Sequence, residues 1–451
     1  ALLHIIETYP REELFQSTVR DLTRTAIGNL NLQDRQRGKL VLRRDAFGRF
    51  FSCLVFVPRE KYTTEVRHKI ETLLTDAFNG TGVDSAVQIA ESALARVHIV
   101  VRTPDGKRPR ISIARIEEQL AELVVTWADR LRAELVDRFG PEQGEAYFKA
   151  YGQIFPAGYE EDTPPKPACS DIATIDDMLQ NGVERSVDLY EAENLEPGDM
   201  RFIVYSLDNP IALSDALPIL EAMGTQVYTE HPYEATLDTG RAIWIQDFHL
   251  RHESDQRIDV EAVADRFEDC FMAVLTGAAE NDGLNRLIVS AELDWREVTL
   301  LRCYAKHIQQ LRLPFSQSYM EDVLVAHPRL TRHLVHQFEN QFDPDVPRTR
   351  RRRERDEIMR KVEAGLRRAR NVDEDRILNA FAGGIEATLR SNYFLTENGR
   401  PKSYISIKLD PSKLPEIPLP KPAYEVFVYS PEVEGVHLRN GEIARGGLRW
   451  S

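Results

Sequence analysis

Cysteine is scarce in this 451-residue sequence, and its placement excludes several chemistries at once. The four present, Cys53, Cys169, Cys270 and Cys303, stand far apart and never as CxxC. Such spacing builds neither a zinc site nor a disulfide framework, so no metal is expected and a reducing, cytoplasmic compartment fits. Positive charge is in deficit as well: 58 Lys and Arg against 72 Asp and Glu leave a formal charge of −14. A surface that negative repels nucleic acid and anionic lipid unless a basic patch overrides it. No apolar run approaches the roughly 18 residues of a spanning helix, so no membrane partner is expected. No secretory leader is visible. GxxxxGK[ST], GxSxG and HExxH are missing too. No catalytic, cofactor-binding or metal-ligating residue is therefore assigned within the chain. It opens at Ala1 and stops at Trp450-Ser451, just after a glycine pair, and is expected to be part of a longer polypeptide.

What is present is enough for real cores: 42% hydrophobic and 29% charged residues, with 24 Gly and 24 Pro. Residues 1–37 read as a helical lead-in, with Leu14, Phe15, Val19 and Leu22 on one face. Strands are predicted at Lys39–Arg44 and Phe50–Val57 about a turn at Asp45–Gly48. A helix carrying Val66, Ile70, Leu73, Leu74 and Ala77 follows, then strands near 83–90 and 96–102 and a long helix at about 113–139. Residues 156–183, proline-rich at Pro156, Pro164, Pro165 and Pro167, read as a linker.

The same order then returns. Strands at Ser186–Tyr190 and Arg201–Ser206 precede a helix that Ser214 caps and Gly224 ends. Strands at Gln226–Tyr233 and Arg241–Leu250 follow, then a helix with Val260, Val263, Phe267, Phe271 and Val274 on one face. The fold class is α+β: two ferredoxin-like ββαββα modules, at 38–155 and 184–280, each with helices over an antiparallel sheet.

Residues 281–402 are helical. Asp294 and Glu297 form a capping box ahead of a stripe of Val298, Leu301, Tyr304 and Ile308. A single long helix is predicted from about Pro347 to Leu395, with a break near Gly383-Gly384. From 403 to 451 the pattern changes to strands, at Tyr404–Leu409, Tyr424–Ser430 and Val433–Leu438.

Few features point to chemistry. Arg348–Arg355 reads Arg-Thr-Arg-Arg-Arg-Arg-Glu-Arg. It is a nucleic-acid or scaffold surface in one reading. In the favoured reading it is a solvated helix start whose charges pair with Asp356, Glu357 and Glu363, or with an acidic subunit nearby. His333, His336 and Glu339 lack the spacing of a zinc hydrolase and are taken as structural. Gly80-Thr81-Gly82 ends a helix and precedes a strand, the reverse of a dinucleotide fingerprint. Arg445-Gly446-Gly447-Leu448-Arg449 is different. A glycine pair lets a ligand approach the backbone, and flanking arginines offer bidentate donors to a carboxylate. Arg445, Gly446, Gly447 and Arg449 are the candidate substrate-binding residues, expected on a loop.

The stretches Tyr424–Arg439 and Ile443–Ser451 resemble the entry into the catalytic domain of the large NAD-specific glutamate dehydrogenases. Asp45–Phe50 with Val57-Pro58-Arg59, Leu213–Leu220 and Leu313–Tyr319 resemble the regulatory region of the same family. The resemblance covers essentially the whole chain. It implies ACT-like modules, helical motifs, then a two-lobed dehydrogenase beginning at 403. It implies oxidative deamination of L-glutamate to 2-oxoglutarate and ammonia, with NAD bound by a domain beyond this chain. It also implies a homo-oligomer, with ACT-like modules that either sense an amino-acid effector or only build the oligomer. Smaller members carry Lys-Gly-Gly where this chain has Arg445-Gly446-Gly447, and that lysine binds the side-chain carboxylate of the substrate. The fragment alone is expected to be inactive, serving regulation and assembly. The alternative is a non-enzymatic scaffold or nucleic-acid-binding protein using the Arg348–Arg355 helix.

Overall fold

A computed structural model of the chain describes residues 11–16, 18–20, 22–23, 39–45, 47–88, 94–104, 111–191, 198–253, 258–311, 313–414, 421–440 and 442–450. Much of the predicted lead-in helix, the turn after Pro104 and the middle of the proline-rich stretch at 411–422 lie outside them. The chain divides into two compact units, residues 1–153 with 159–172, and residues 154–158 with 173–451.

In the first unit, helix α1 (Arg11–Gln16) precedes strands β1 (Lys39–Arg44) and β2 (Phe50–Pro58). Gly48, at φ +73°, makes the hairpin turn between them, its N–H donating to the Asp45 carbonyl. Helix α2 (Thr64–Ala77), strands β3 (Gly82–Gln88) and β4 (Leu94–Arg102) and helix α3 (Ile113–Val124) complete the module. The sheet order is β1-β2-β4-β3, all antiparallel. Moving the last strand of a ferredoxin-like βαββαβ sheet to the front of the chain yields this order, so the module is a permuted sandwich of that class.

Strand β2 is buried along almost its whole length because both faces are covered. Cys53, Val55 and Val57 meet Ile70, Leu74, Ile116 and Leu120 beneath the helices. On the other face Leu54 and Phe56 pack against Leu14 and Leu22. Phe15 and Val19, predicted on that packing face, are instead 86% and 81% exposed. The polar anchor is Glu13. Its carboxylate accepts from Arg43 Nε and Nη2 at 2.6 Å each and from Ser52 Oγ at 2.7 Å, with His98 Nε2 at 3.7 Å.

The predicted helix over 113–139 is two helices. Thr126 caps a new one, α4 (Trp127–Phe139), through a capping box with Asp129. Helix α5 (Pro141–Tyr151) folds back on α4, and a Cβ on Gly144 would stand 2.6 Å from the Leu135 carbonyl oxygen and from Val136 Cα. Gly144→Val is expected to lower the stability of the first unit by about 2–3 kcal/mol through overpacking, read as a lower melting temperature. The stretch predicted as a linker carries α6 (Ala157–Asp162) and α7 (Pro165–Asn181). Prolines fit at a helix start, where the first N–H groups need no intrahelical acceptor.

The second unit repeats the pattern with β5 (Arg185–Tyr190), β6 (Asp199–Leu207), α8 (Leu213–Ala222), β7 (Thr225–Thr236), β8 (Ala242–His252) and α9 (Val260–Leu275). Its sheet runs β5-β6-β8-β7, again antiparallel. Ala212, not Ser214, is the N-cap of α8. A 3₁₀ turn at Gly283–Arg286 and the short α10 (Leu287–Ser290) lead into α11 (Trp295–Gln310), which opens on the predicted Asp294–Glu297 capping box. Val298, Leu301, Tyr304 and Ile308 are all fully buried.

Helices α12 (Gln317–Ala326), α13 (Pro328–Phe342), α14 (Arg348–Leu366) and α15 (Val372–Ala387) follow. The single helix predicted from Pro347 to Leu395 is thus α14 and α15. The break falls at Asn371, whose side chain caps α15, rather than at the Gly383-Gly384 pair. Gly384 stays helical because Tyr304 packs against it, 3.3 Å from where a Cβ would be. Strand β9 (Thr388–Ser391), the small ribbon β10 (Thr396–Glu397) and β11 (Arg400–Pro401), then β12 (Ile405–Leu409), β13 (Tyr424–Tyr429), β14 (Val433–Asn440) and β15 (Ile443–Trp450) end the chain. One antiparallel sheet, β15-β14-β13-β12-β9, takes in all but the ribbon. Among the described residues no helix is long and apolar enough to cross a membrane.

Candidate functional site

The glycine-arginine segment is a strand, not the predicted loop. β15 pairs with β14 from Asn440↔Ile443 through Val433↔Trp450 and forms one edge of the five-stranded sheet. Pairing begins at Asn440↔Ile443, so the segment continues the ladder. Side chains alternate across a strand, so positions 445, 447 and 449 fall on one face and 446 and 448 on the other. Directly paired residues share a face. Leu438, Val436 and Glu434 stand opposite 445, 447 and 449.

The two glycines differ. A Cβ at Gly446 would stand 2.8 Å from the Val436 carbonyl oxygen, so this position keeps the hairpin closed. A Cβ at Gly447 would meet nothing within 4 Å. Gly447 therefore leaves an open floor midway between two arginine positions, each about 7 Å from it and so about 13 Å apart along the strand. Arg445, Gly446 and Gly447 are exposed. Arg449 enters only through its backbone pairing with Glu434.

What holds this hairpin is a buried polar lattice that sequence reasoning missed. The face of the sheet carrying Ile405, Ile407, Leu409, Glu425, Phe427, Tyr429 and Glu434 is buried, and β13 packs on α11. Arg302, on α11, is 0% exposed. Its Nε and Nη2 donate to Asp282 at 2.6 and 2.7 Å, and Nη2 also donates to Asn285 Oδ1 at 2.9 Å. Burial alone would depress this guanidinium, but the charge and hydrogen bonds of Asp282 hold it above its ordinary value.

One turn on, Lys306 Nζ lies 3.1 Å from Glu280 and 3.8 Å from Glu434. Glu280 also accepts from Tyr429 Oη at 2.8 Å. His307 Nε2 sits 3.1 Å from Glu425, and Gln310 donates to Glu434 at 3.4 Å. Every strand residue in this set belongs to β13 or β14, the two strands nearest β15. Spacing offered one signal: Arg302, Lys306 and Gln310 recur every four residues, which marks one helical face. Three polar residues on a helix read as its solvent side until a sheet is seen against them.

Nucleophilic thiol chemistry has no place here. All four cysteines are buried and free, and burial pushes their thiols up, Cys169 to about 11 and Cys270 to about 12. No group of three or more His, Cys, Asp or Glu among the described residues is arranged to hold a metal. His333 and His336 lie close on α13 with their rings 6.3 Å apart.

Comparison with known proteins places each segment. The family model described as bacterial NAD-glutamate dehydrogenase, catalytic domain, matches residues 361–451. Models of the glutamate dehydrogenase ACT2 and ACT3 domains match 39–128 and 184–263, and those of helical motifs 1, 2 and 3 match 1–35, 134–178 and 279–344. The NAD-specific glutamate dehydrogenase of Halomonas elongata is 40% identical over 453 residues, and that of Pseudomonas aeruginosa is 37% identical over 457. The enzyme of that name from Mycobacterium tuberculosis is 37% identical over 469. Each similarity covers the whole of this chain, which spans 28% of the length of each relative. Nothing in these similarities favours a scaffold or nucleic-acid-binding protein. Six family models in chain order and three full-chain relatives agree, and the chain belongs to the family of the bacterial NAD-specific glutamate dehydrogenases.

Proposed function

We propose that this chain is part of an enzyme that oxidises L-glutamate to 2-oxoglutarate and ammonia with NAD as hydride acceptor. Within it, Arg445, Gly446, Gly447 and Arg449 bind the side-chain carboxylate of the substrate. The observation that carries this reading is the bare floor at Gly447 between two arginine positions on one strand face. A carboxylate seated there accepts from a guanidinium and reaches the free backbone edge of β15. The residues present do not fit NAD itself: the described strand-to-helix turns include no GxGxxG. Cofactor binding and hydride transfer are therefore assigned to polypeptide outside this chain, and no step is derived through the cofactor.

The two ββαββα modules serve regulation and assembly of a homo-oligomer in the cytoplasm. Four free thiols support the compartment. The exposed edge strand β3, with Val83 and Val87 37% and 38% exposed, supports sheet pairing between copies. An amino-acid effector has a place at the second module, where a cleft of about 430 Å³ is lined by Arg286, His252, Asp259 and Glu292 among others. Both signs of charge are there, as a zwitterion requires.

The test is Arg445→Ala in the full-length enzyme. KM for glutamate should rise about tenfold or more, the loss of one charge-assisted hydrogen bond, while KM for NAD holds. Arg445→Lys should recover part of the loss. An unchanged KM for glutamate would remove these residues from the substrate site.

A further inference from the structure

The arginine cluster at the start of α14 is not the self-neutralised helix start expected from sequence. Arg350 pairs with Glu354 at 2.8 Å. Of the predicted acidic partners, Glu357 is taken by Lys361 at 2.7 Å. Arg348, Arg351, Arg352 and Arg355 have no carboxylate partner among the described residues. They line one wall of a cleft of about 510 Å³, with α13 contributing Gln337 and Asn340 and Lys413 adding a fifth cation. Glu386 is the one acidic residue in the lining. Five cationic side chains converge there on a space of small-molecule size.

The helix makes this arrangement costly. Its first turn holds no acidic residue, and its N-terminal partial positive charge adds to the arginines. Such repulsion by itself says only that counter-ions gather nearby. A second observation locates a ligand. Three of the nine buried side-chain polar atoms without a hydrogen-bond partner among the described residues belong to this lining: Gln337 Oε1, Asn340 Oδ1 and Arg351 Nε. Gln337 and Asn340 are only 7% and 8% exposed, so bulk water does not explain them. The orientation of Asn340 is fixed, because its Nδ2 donates to the Arg351 carbonyl at 3.2 Å and leaves Oδ1 pointing elsewhere. Arg351 is held in place by its Nη2, which donates to the Asp343 and Val346 carbonyls, so its Nε is presented and not free to swing away. Buried orphans of this kind are rare, and three in one lining call for a common partner.

We propose that this cleft binds a small polyanion carrying two or more phosphate groups. Phosphate oxygens accept from Arg351 Nε and from the arginine fork groups at the mouth, where delocalised guanidinium matches their geometry. A hydroxyl or protonated phosphate oxygen of the same ligand donates to Gln337 and Asn340. The site is separate from β15 and belongs to the helical layer that carries the sheet, so occupancy ties α13 to α14.

The experiment uses the full-length enzyme and sodium tripolyphosphate, titrated calorimetrically at fixed ionic strength. Saturable binding at one site per chain is expected. Arg352→Gln combined with Arg355→Gln should weaken it at least tenfold. Arg353→Gln combined with Arg360→Gln, the same charge change at exposed positions of α14 outside the cleft, should leave it within twofold. Asn340→Ala tests the orphaned acceptor and should also weaken binding, its melting temperature separating a lost contact from a lost fold. Equal loss in both double variants would reduce the effect to diffuse electrostatics and overturn the proposal. So would the absence of saturable binding, as when another part of the polypeptide fills the cleft.

Discussion

Arg302→Met should destabilise the second unit by about 3–5 kcal/mol, the cost of breaking a buried ion pair from one side. The substituted side chain fills similar space, so the loss is electrostatic. Asp282 keeps its charge in a site 13% exposed and loses both strong donors. Asn285 loses one as well, and Gln317, at 3.3 Å, is left as the remaining side-chain donor to Asp282. The carboxylate also caps the 3₁₀ turn through the Leu284 N–H, so the turn joining the second module to α11 is strained at the same time. The double variant Arg302→Met with Asp282→Leu should recover most of the stability, because an apolar pair of matched volume replaces a desolvated charged one. Chemical denaturation with separate probes for the two units reads this out. A loss under 1 kcal/mol in the single variant would show that water reaches the pair.

The second large effect is a pH dependence of opposite sign in the two units. In the second unit Glu339 on α13 and Glu297 on α11 share a hydrogen bond at a partly buried site. Asp294 and Asp343 lie on the same side, with Arg266 beside Glu297. Burial, then the neighbouring Glu297, pushes Glu339 up to about 7. The pair titrates as a unit. Between its ordinary value of 4.5 and 7 the folded unit holds a proton that the unfolded chain has released. Stability therefore falls as pH rises through that window, by about 2 kcal/mol after allowance for solvent screening. Glu339→Gln should flatten the profile and raise the melting temperature at pH 8.

Glu13 in the first unit runs the other way. Burial would raise it, but Arg43, His98 and Ser52 outweigh burial and hold it down at about 2. Its contribution is present above 4.5 and is lost as pH falls towards 2, about 2–3 kcal/mol in all. Melts that moved in parallel for the two units across pH 2–8 would refute both assignments.

The ββαββα order, the capping box at Asp294 and the stripe on α11 were legible because each is a local pattern: alternation, a three-residue cap, a 3.6-residue period. The breaks at Thr126 and Asn371 were legible in principle, since each is an N-cap residue, but prolines and glycine pairs drew the boundaries elsewhere. Strand β15 was hidden because glycines in sequence signal a loop. Only pairing with β14 reveals Gly446 as a close-approach position. The Arg302 lattice and the α14 cleft were hidden for a deeper reason. Both depend on which helix face meets which partner, and Arg348–Arg355 carries the same charges whether it faces solvent or lines a cavity.

Placing the sheet-closing strand first, as both modules do, changes how a growing chain reaches its fold. Arg44 pairs with Phe51 and Tyr190 with Arg201, partners close in sequence, so the first ladder of each module can close before its helices have left the ribosome. An unpermuted sheet would leave that edge open until its final residues were synthesised. The early ladder removes a sticky β-edge during the interval when a nascent multidomain chain is most prone to aggregate.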